Sequence, residues 1–126
     1  MEIKILDPFK DGKELWLGID HPESKMIRKV FQLVTPEIVN SKHIMAGLTI
    51  FEPGESSSVH NHPGSEELDV VIRGAGDVIS NGERLTFKQY DYMFIPEGVY
   101  HQHVNTGSEP LWLLWAYTPQ GNLPKD

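Results

Sequence analysis

The 126-residue sequence contains no cysteine. Disulfides, thiolate metal sites and a cysteine nucleophile are thereby excluded, so any bound metal must be held by nitrogen and oxygen. Basic residues are in the minority: 11 Lys and Arg against 18 Asp and Glu leave a net charge of −7. A surface of that sign repels phosphate backbones and anionic headgroups, so no nucleic-acid or membrane partner is expected. No apolar run approaches the roughly 20 residues of a membrane-spanning helix. The start, Met1-Glu2-Ile3-Lys4, lacks the basic and then apolar opening of a secretory leader, which points to a cytoplasmic location. Internal repeats and low-complexity segments are also missing.

Room for long helices is missing as well. Nine prolines and 11 glycines are spread evenly along the chain, and such punctuation breaks helices. A helical turn is expected only at Pro36–Ser41, with Pro36 in its first turn. Turn signals instead recur every ~8–12 residues, the spacing of an all-β sandwich or barrel. Between them lie the β-rich runs Leu15–Ile19, Ile27–Val34, Ile44–Phe51, Leu68–Ile72, Asp77–Ser80, Tyr92–Ile95 and Leu111–Tyr117. Asn81-Gly82 reads as a hairpin turn, because both residues tolerate positive φ. The length suits one domain over residues 1–126. Residues 1–45 are expected to supply strands that pack on the barrel or on a partner subunit, and residues 46–117 the barrel core. Pro119–Asp126 reads as a loose polar tail.

Six histidines are present, and four lie in close pairs. His60 and His62, two apart, point to one face of an extended segment. Pro63-Gly64-Ser65 then turns the chain, so that Glu67 can face back, and His101 can enter from a third strand. Glu66 should point the other way by strand alternation. Three imidazoles and one carboxylate suit Fe, Mn, Ni, Zn, Co or Cu rather than Ca or Mg. In a six-coordinate ion they leave two positions open, as in a catalytic rather than a closed structural site. His21 and His43 read as an exposed turn residue and a structural residue.

The stretch Gly54–Gly74 reads Gly, five residues, His-x-His, four residues, Glu, six residues, Gly. Pro96–Asn105 reads Pro-x-Gly, two residues, His, three residues, Asn. These stretches resemble the two motifs of the cupin superfamily, in the spacing of its small single-domain bacterial-type members. One position departs: Tyr90 stands where the family has a glycine six residues before the motif proline. The resemblance implies an all-β jelly-roll barrel, the double-stranded β-helix, with His60, His62, Glu67 and His101 holding one divalent transition metal. It also implies a homodimer.

Two more polar residues fall on the inward phase. His103 lies two beyond His101, and Asp69 two beyond Glu67. A carboxylate inside a barrel is costly unless paired. Asp69 is therefore expected to do acid–base work, or to pair with His103 or with Arg73, which shares its phase in a regular strand. Both Asp69 and His103 are candidate catalytic residues, moving a proton. Trp112, Trp115, Tyr117, Tyr92 and Phe94 read as packing residues, and Ser56-Ser57-Ser58 as a solvated loop. Families with this ligand set include dioxygenases of enol-type substrates, decarboxylases, lyases and sugar isomerases. The expected activity is that of a metal-dependent enzyme on a small oxygenated substrate (an enol, a carboxylate or a sugar), an oxygenase ahead of isomerase, lyase or decarboxylase chemistry. A non-catalytic small-molecule-binding module is the alternative, and a storage role ranks last.

Overall fold

Alternating inward apolar residues and frequent turns fold this chain, seen in a computed structural model describing residues 2–121, into two facing antiparallel sheets. Nine strands appear in order: β1 (Lys13–Leu17), β2 (Arg28–Val34), β3 (Met45–Phe51), β4 (Glu66–Arg73), β5 (Gly76–Ser80), β6 (Glu83–Phe87), β7 (Tyr92–Ile95), β8 (Gln102–Val104) and β9 (Leu111–Thr118). One sheet has the order β1-β2-β3-β9-β4-β7 and the other β6-β5-β8. The architecture is a jelly-roll barrel, a β solution that covers most of its edges. No helix among the described residues is long and apolar enough to cross a membrane.

The N-terminal strands belong to the barrel itself, since β2 pairs with β3 from Lys29↔Ile50 to Val34↔Ala46. Strand β1 spans Lys13–Leu17 rather than Leu15–Ile19, because Gly18 turns to positive φ. Strand β6 pairs with β5 through a turn at Asn81 and Gly82, both at positive φ. None of the β-rich runs covers β6: its burial is slight except at Phe87, so it carries little apolar signal. The helical turn at Pro36 is a single one, Pro36–Val39, capped by the Thr35 side chain and ended by Asn40 at positive φ. A second turn at Pro8–Asp11 is capped by Asp7, a signal the strand reading passed over.

The inner faces hold the core. Phe51, Val71, Phe87, Leu111 and Leu113 form one buried cluster, and Val30, Met45, Trp115 and Tyr117 another. Members of both line the cavity described below. Gly47 permits the second cluster to form: a Cβ there would lie 2.2 Å from the Phe31 carbonyl oxygen and 2.5 Å from the Trp115 ring. Its missing side chain lets the indole of its partner across the strands lie against β3.

Four expectations are corrected. Tyr92 and Phe94 are 73% and 60% exposed, because β7 is an edge strand and turns them outward. Arg73 leaves the inward phase at a register shift between Val71 and Arg73, and sits 4.0 Å from Glu109 in solvent instead of pairing with Asp69. His43 is exposed rather than structural. Pro119 and Gln120 are tied down, with Ser65 Oγ donating to the Pro119 carbonyl and the Gln120 amide to that of Ser41. The rest of the expected tail, residues 122–126, lies outside the described residues.

Candidate metal centre

His60 and His62 lie not in a regular strand but in the loop before β4. A bridge fixes the loop at His60: His60 N–H donates to the His101 carbonyl and His101 N–H to that of His60, at 3.0 and 2.8 Å. The clamp sets two imidazole-bearing residues back to back. Glu67 comes from the second position of β4, facing inward, and Glu66 faces solvent. The result brings one ligand atom each from His60, His62, Glu67 and His101 within 4.8 Å of one another. Three of the four are buried and His60 is half-buried.

Nitrogen tautomers are set by the backbone. His60 Nδ1 donates to the Ser58 carbonyl at 2.8 Å, and His101 Nδ1 to the Val99 carbonyl at 3.0 Å. A carbonyl can only accept, so each ring carries its proton on Nδ1 and presents Nε2 bare to the centre. His62 Nε2 and His101 Nε2 stand 3.0 and 3.5 Å from Glu67 Oε1. Yet Glu67 Oε1 and His101 Nε2 are buried with no aligned hydrogen bond. Close contact without alignment means these donor atoms aim at a common point rather than at one another. Buried orphaned acceptors are rare in native proteins, and a cation at that point satisfies them. The residues present therefore fit a divalent transition metal: neutral imidazoles and a carboxylate are its ligands, and no thiolate is needed.

At His60 and Glu67 the electrostatics agree with that fit, whereas at His101 a proton competes with a cation for Nε2. Burial and the neighbouring His101 lower His60 to about 4, which keeps its ring neutral and ligating at pH 7. Burial by itself would raise Glu67, but contacts with His101, His62 and Asp69 outweigh it and hold the carboxyl well below its ordinary value. Burial also pulls on His101, and Glu67 reverses the effect, raising it.

Asp69 and His103 lie beside the cluster and pair with each other, His103 Nε2 being 2.9 Å from Asp69 Oδ2. Burial, then the charge of Glu67, pushes Asp69 well up; burial lowers His103 to about 3. Both shifts favour the neutral forms of the hydrogen-bonded pair. Of the two partners expected for Asp69, the structure provides His103. A cavity of about 50 Å³ is lined by His60, His62, Glu67, Asp69 and His103. On the other side His101 borders a larger gap of about 560 Å³ between β7 and the small sheet.

The sequence reading missed several lining residues. Ser57 is buried and lines the cavity instead of lying in a solvated loop; its hydroxyl accepts from the His103 N–H. Trp115 and Tyr117 also line the cavity, with Tyr117 stacked 4.3 Å from His62. Arg28 adds a cation to the lining from the inward phase of β2, and only that phase signals it. The motif residue Asn105 serves the backbone. Its amide donates to the Phe51 and Glu109 carbonyls, and its oxygen accepts from Gly107 N–H.

Comparison with known proteins places these observations. Polyketide synthase CurC of Streptomyces cyaneus is 33% identical over 92 residues, covering 73% of this chain and 60% of that protein. Gentisate 1,2 dioxygenase 1 of Aquipseudomonas alcaligenes is 29% identical over 116 residues, 91% of this chain but 30% of the dioxygenase. The chain thus spans about three fifths of the first relative and under a third of the second. A crystal structure described as a predicted oxalate decarboxylase from Thermotoga maritima superposes with a TM-score of 0.75 at 20% identity, over 93% of this chain and all of that one. That likeness shows the fold. The family model for the cupin domain matches residues 47–117, more than half the chain and both motifs, and the protein belongs to the cupin family.

Proposed function

We propose that this cupin is a metal-dependent enzyme acting on a small oxygenated substrate, with His60, His62, Glu67 and His101 as its metal ligands. The observation that carries the reading is the convergence of those four donors, with Glu67 Oε1 and His101 Nε2 buried and unsatisfied. When bound, the metal supplies Lewis acidity for an enolate or carboxylate and, if iron, a site for dioxygen. The chain's own residues do the rest. Ser58 and Val99 carbonyls orient two of the rings. The apolar inner face limits water. Asp69 and His103 hold a proton at the cavity wall, between Asp69 Oδ2 and His103 Nε2, available to a guest there. Oxygenase chemistry on an enol or carboxylate is the preferred reaction, supported by the match to a relative named gentisate 1,2 dioxygenase. Isomerase, lyase or decarboxylase chemistry is the next choice.

A second reading is a non-catalytic module that binds a small molecule through the metal. It draws support from the hydrogen bond that engages Asp69 Oδ2 with His103 Nε2 and from a relative named oxalate-binding protein, from Thermotoga maritima, 29% identical over 82 residues. In either reading the working unit is a homodimer. Its support is a contiguous apolar row on the outer face of the large sheet, where Phe94 pairs with Leu68, and Val70 with Tyr92 on one side and Leu114 on the other.

The test is metal analysis of protein purified without chelators, then a substrate panel with and without oxygen. Metal near one equivalent is expected, with His62→Ala and Glu67→Ala each reducing it sharply. Both variants holding metal like the parent would overturn the ligand assignment. Substrate turnover in the absence of oxygen would remove the oxygenase choice.

A further inference from the structure

Residues 2–6, ahead of the turn at Pro8–Asp11, belong to no helix or strand of this fold. Ile3 and Ile5 are 95% and 96% exposed, and no hydrogen bond joins any of residues 2–6 to the rest of the described chain. A solvated terminal arm is ordinarily polar. This one alternates: when extended, Ile3 and Ile5 share one side and Lys4 takes the other, the period of a strand buried on one face. Its root is fixed. The Phe9 ring meets Phe31 of β2 at 5.1 Å and Trp112 of β9 at 5.7 Å, both on the outward phase of the large sheet.

We propose that this arm pairs with the free edge of β7 in a second copy of the chain, each copy lending its arm to the other. The inference rests on the homodimer reading above and specifies how the two copies lock. Three observations carry it. The first is the edge. The sheets end in β1, β7, β6 and β8. Strand β1 carries Lys13 and Glu14, and β6 Glu83 and Arg84, charges that guard an edge against pairing. Strand β8 is flanked by the loop bridges Ser56↔Val104 and His60↔His101. Strand β7, Tyr92-Met93-Phe94-Ile95, has neither charge nor proline and pairs on one side alone, with β4. A bare apolar edge of that kind is a template for another strand.

The second observation is the period. Tyr92 and Phe94 are exposed and two apart, as Ile3 and Ile5 are, so an added strand sets isoleucine beside aromatic on one face. Five extended residues span about 17 Å, enough for the four of β7. The third is reach. Leu68 and Val70 put β4 in the middle of the exposed apolar row, between β7 and β9. A two-fold axis along β4 sets the partner's β7 over β9, and the space beyond its edge over β3. Phe9 roots the arm there, between β2 and β9. The added strand runs along the mouth of the gap that His101 borders, so each copy supplies a wall to the other's site.

The chain has no cysteine, so engineered cysteines report the contact without background. Ile3→Cys or Ile5→Cys protein is mixed with Tyr92→Cys or Phe94→Cys protein under mild oxidant. At least one of the four mixtures should give a covalent dimer holding one chain of each kind, because facing residues of antiparallel strands lie within disulfide reach. Ile5→Cys mixed with Trp16→Cys, on the β1 edge, should give none, and a disulfide there overturns the choice of edge. Ile3→Asp combined with Ile5→Asp should fold as the parent does and raise the dimer's dissociation constant about tenfold or more, since two apolar side chains lose their cover. A dimeric parent whose four mixtures yield no mixed disulfide, or whose doubly substituted variant associates as the parent does, overturns the arm exchange and leaves the dimer standing. A parent that is monomeric by light scattering overturns both.

Discussion

At the scale of single residues, the inner face accumulates ionisable groups that folding makes neutral, and the consequence is a pH dependence of definite sign. His60 falls to about 4 and His103 to about 3 in the folded chain, against about 6.5 unfolded. Between those values the unfolded chain binds more protons at both sites, so stability rises with pH and is lost on acidification. Asp69, raised by burial, acts in the opposite sense. His101, raised by Glu67, opposes them too, but only above about pH 5.5, where its unfolded ring is still largely deprotonated; below that, two imidazoles against one carboxyl leave a net loss as pH drops from about 5.5 to 4.5. The melting temperature of the metal-free protein should therefore fall over that window, and His60→Gln should reduce the slope. A flat or rising profile would show that the two rings are not held neutral by burial.

At the scale of elements, the turn before β7 carries an unusual load. Tyr90 sits at φ 74, in the left-handed region that the family fills with glycine, and its ring is 73% exposed. The turn survives the substitution because Tyr90 N–H donates to the Val71 carbonyl at 2.7 Å, and Asp91 receives the Lys88 N–H. Left-handed backbone costs a bulky residue roughly 1–2 kcal/mol, and glycine's extra chain entropy returns part of that. Tyr90→Gly should therefore stabilise the protein by roughly 0.5–1 kcal/mol in denaturant unfolding. A loss of stability would mean that the ring packs on something, such as a partner.

The same scale shows what the sequence makes legible. Long β-rich runs, β3, β4 and β9, could be read directly, and so could the placement of Glu67 against Glu66, because successive residues of a strand face opposite ways. The convergence of His60 and His62 could be read too, though for a different reason: a loop bridge sets it, not a strand. What escaped has physical causes. Arg73 is displaced by a bulge, which no local pattern announces. Tyr92 and Phe94 alternate as core residues do, and only sheet order shows that β7 lies at an edge. Arg28 and Ser57 become cavity residues only when β2 and the loop before β4 face one another, contacts between distant parts of the chain.

At the scale of the whole molecule, the outer face of the large sheet is where an unpaired barrel meets its surroundings. Leu68, Leu114, Tyr92 and Phe94 are 38%, 39%, 73% and 60% exposed and adjoin by register. Adjoining exposed apolar residues of this kind mark association surfaces, and one patch serves both partners about a two-fold axis. Light scattering should give a dimer, and Leu68→Glu with Phe94→Glu should give a folded monomer that still binds metal. A parent that stays monomeric at tens of micromolar would sink the homodimer proposal.

Strand β4 joins these two faces with no slack. Its odd positions Glu67 and Asp69 supply the interior, and its even positions Leu68 and Val70 the exterior. Inserting or deleting one amino acid at its start would exchange the sets, exposing both acids and burying two aliphatics where the donors converge. Evolution can therefore vary what stands at each site in this segment far more freely than it can vary how many sites there are.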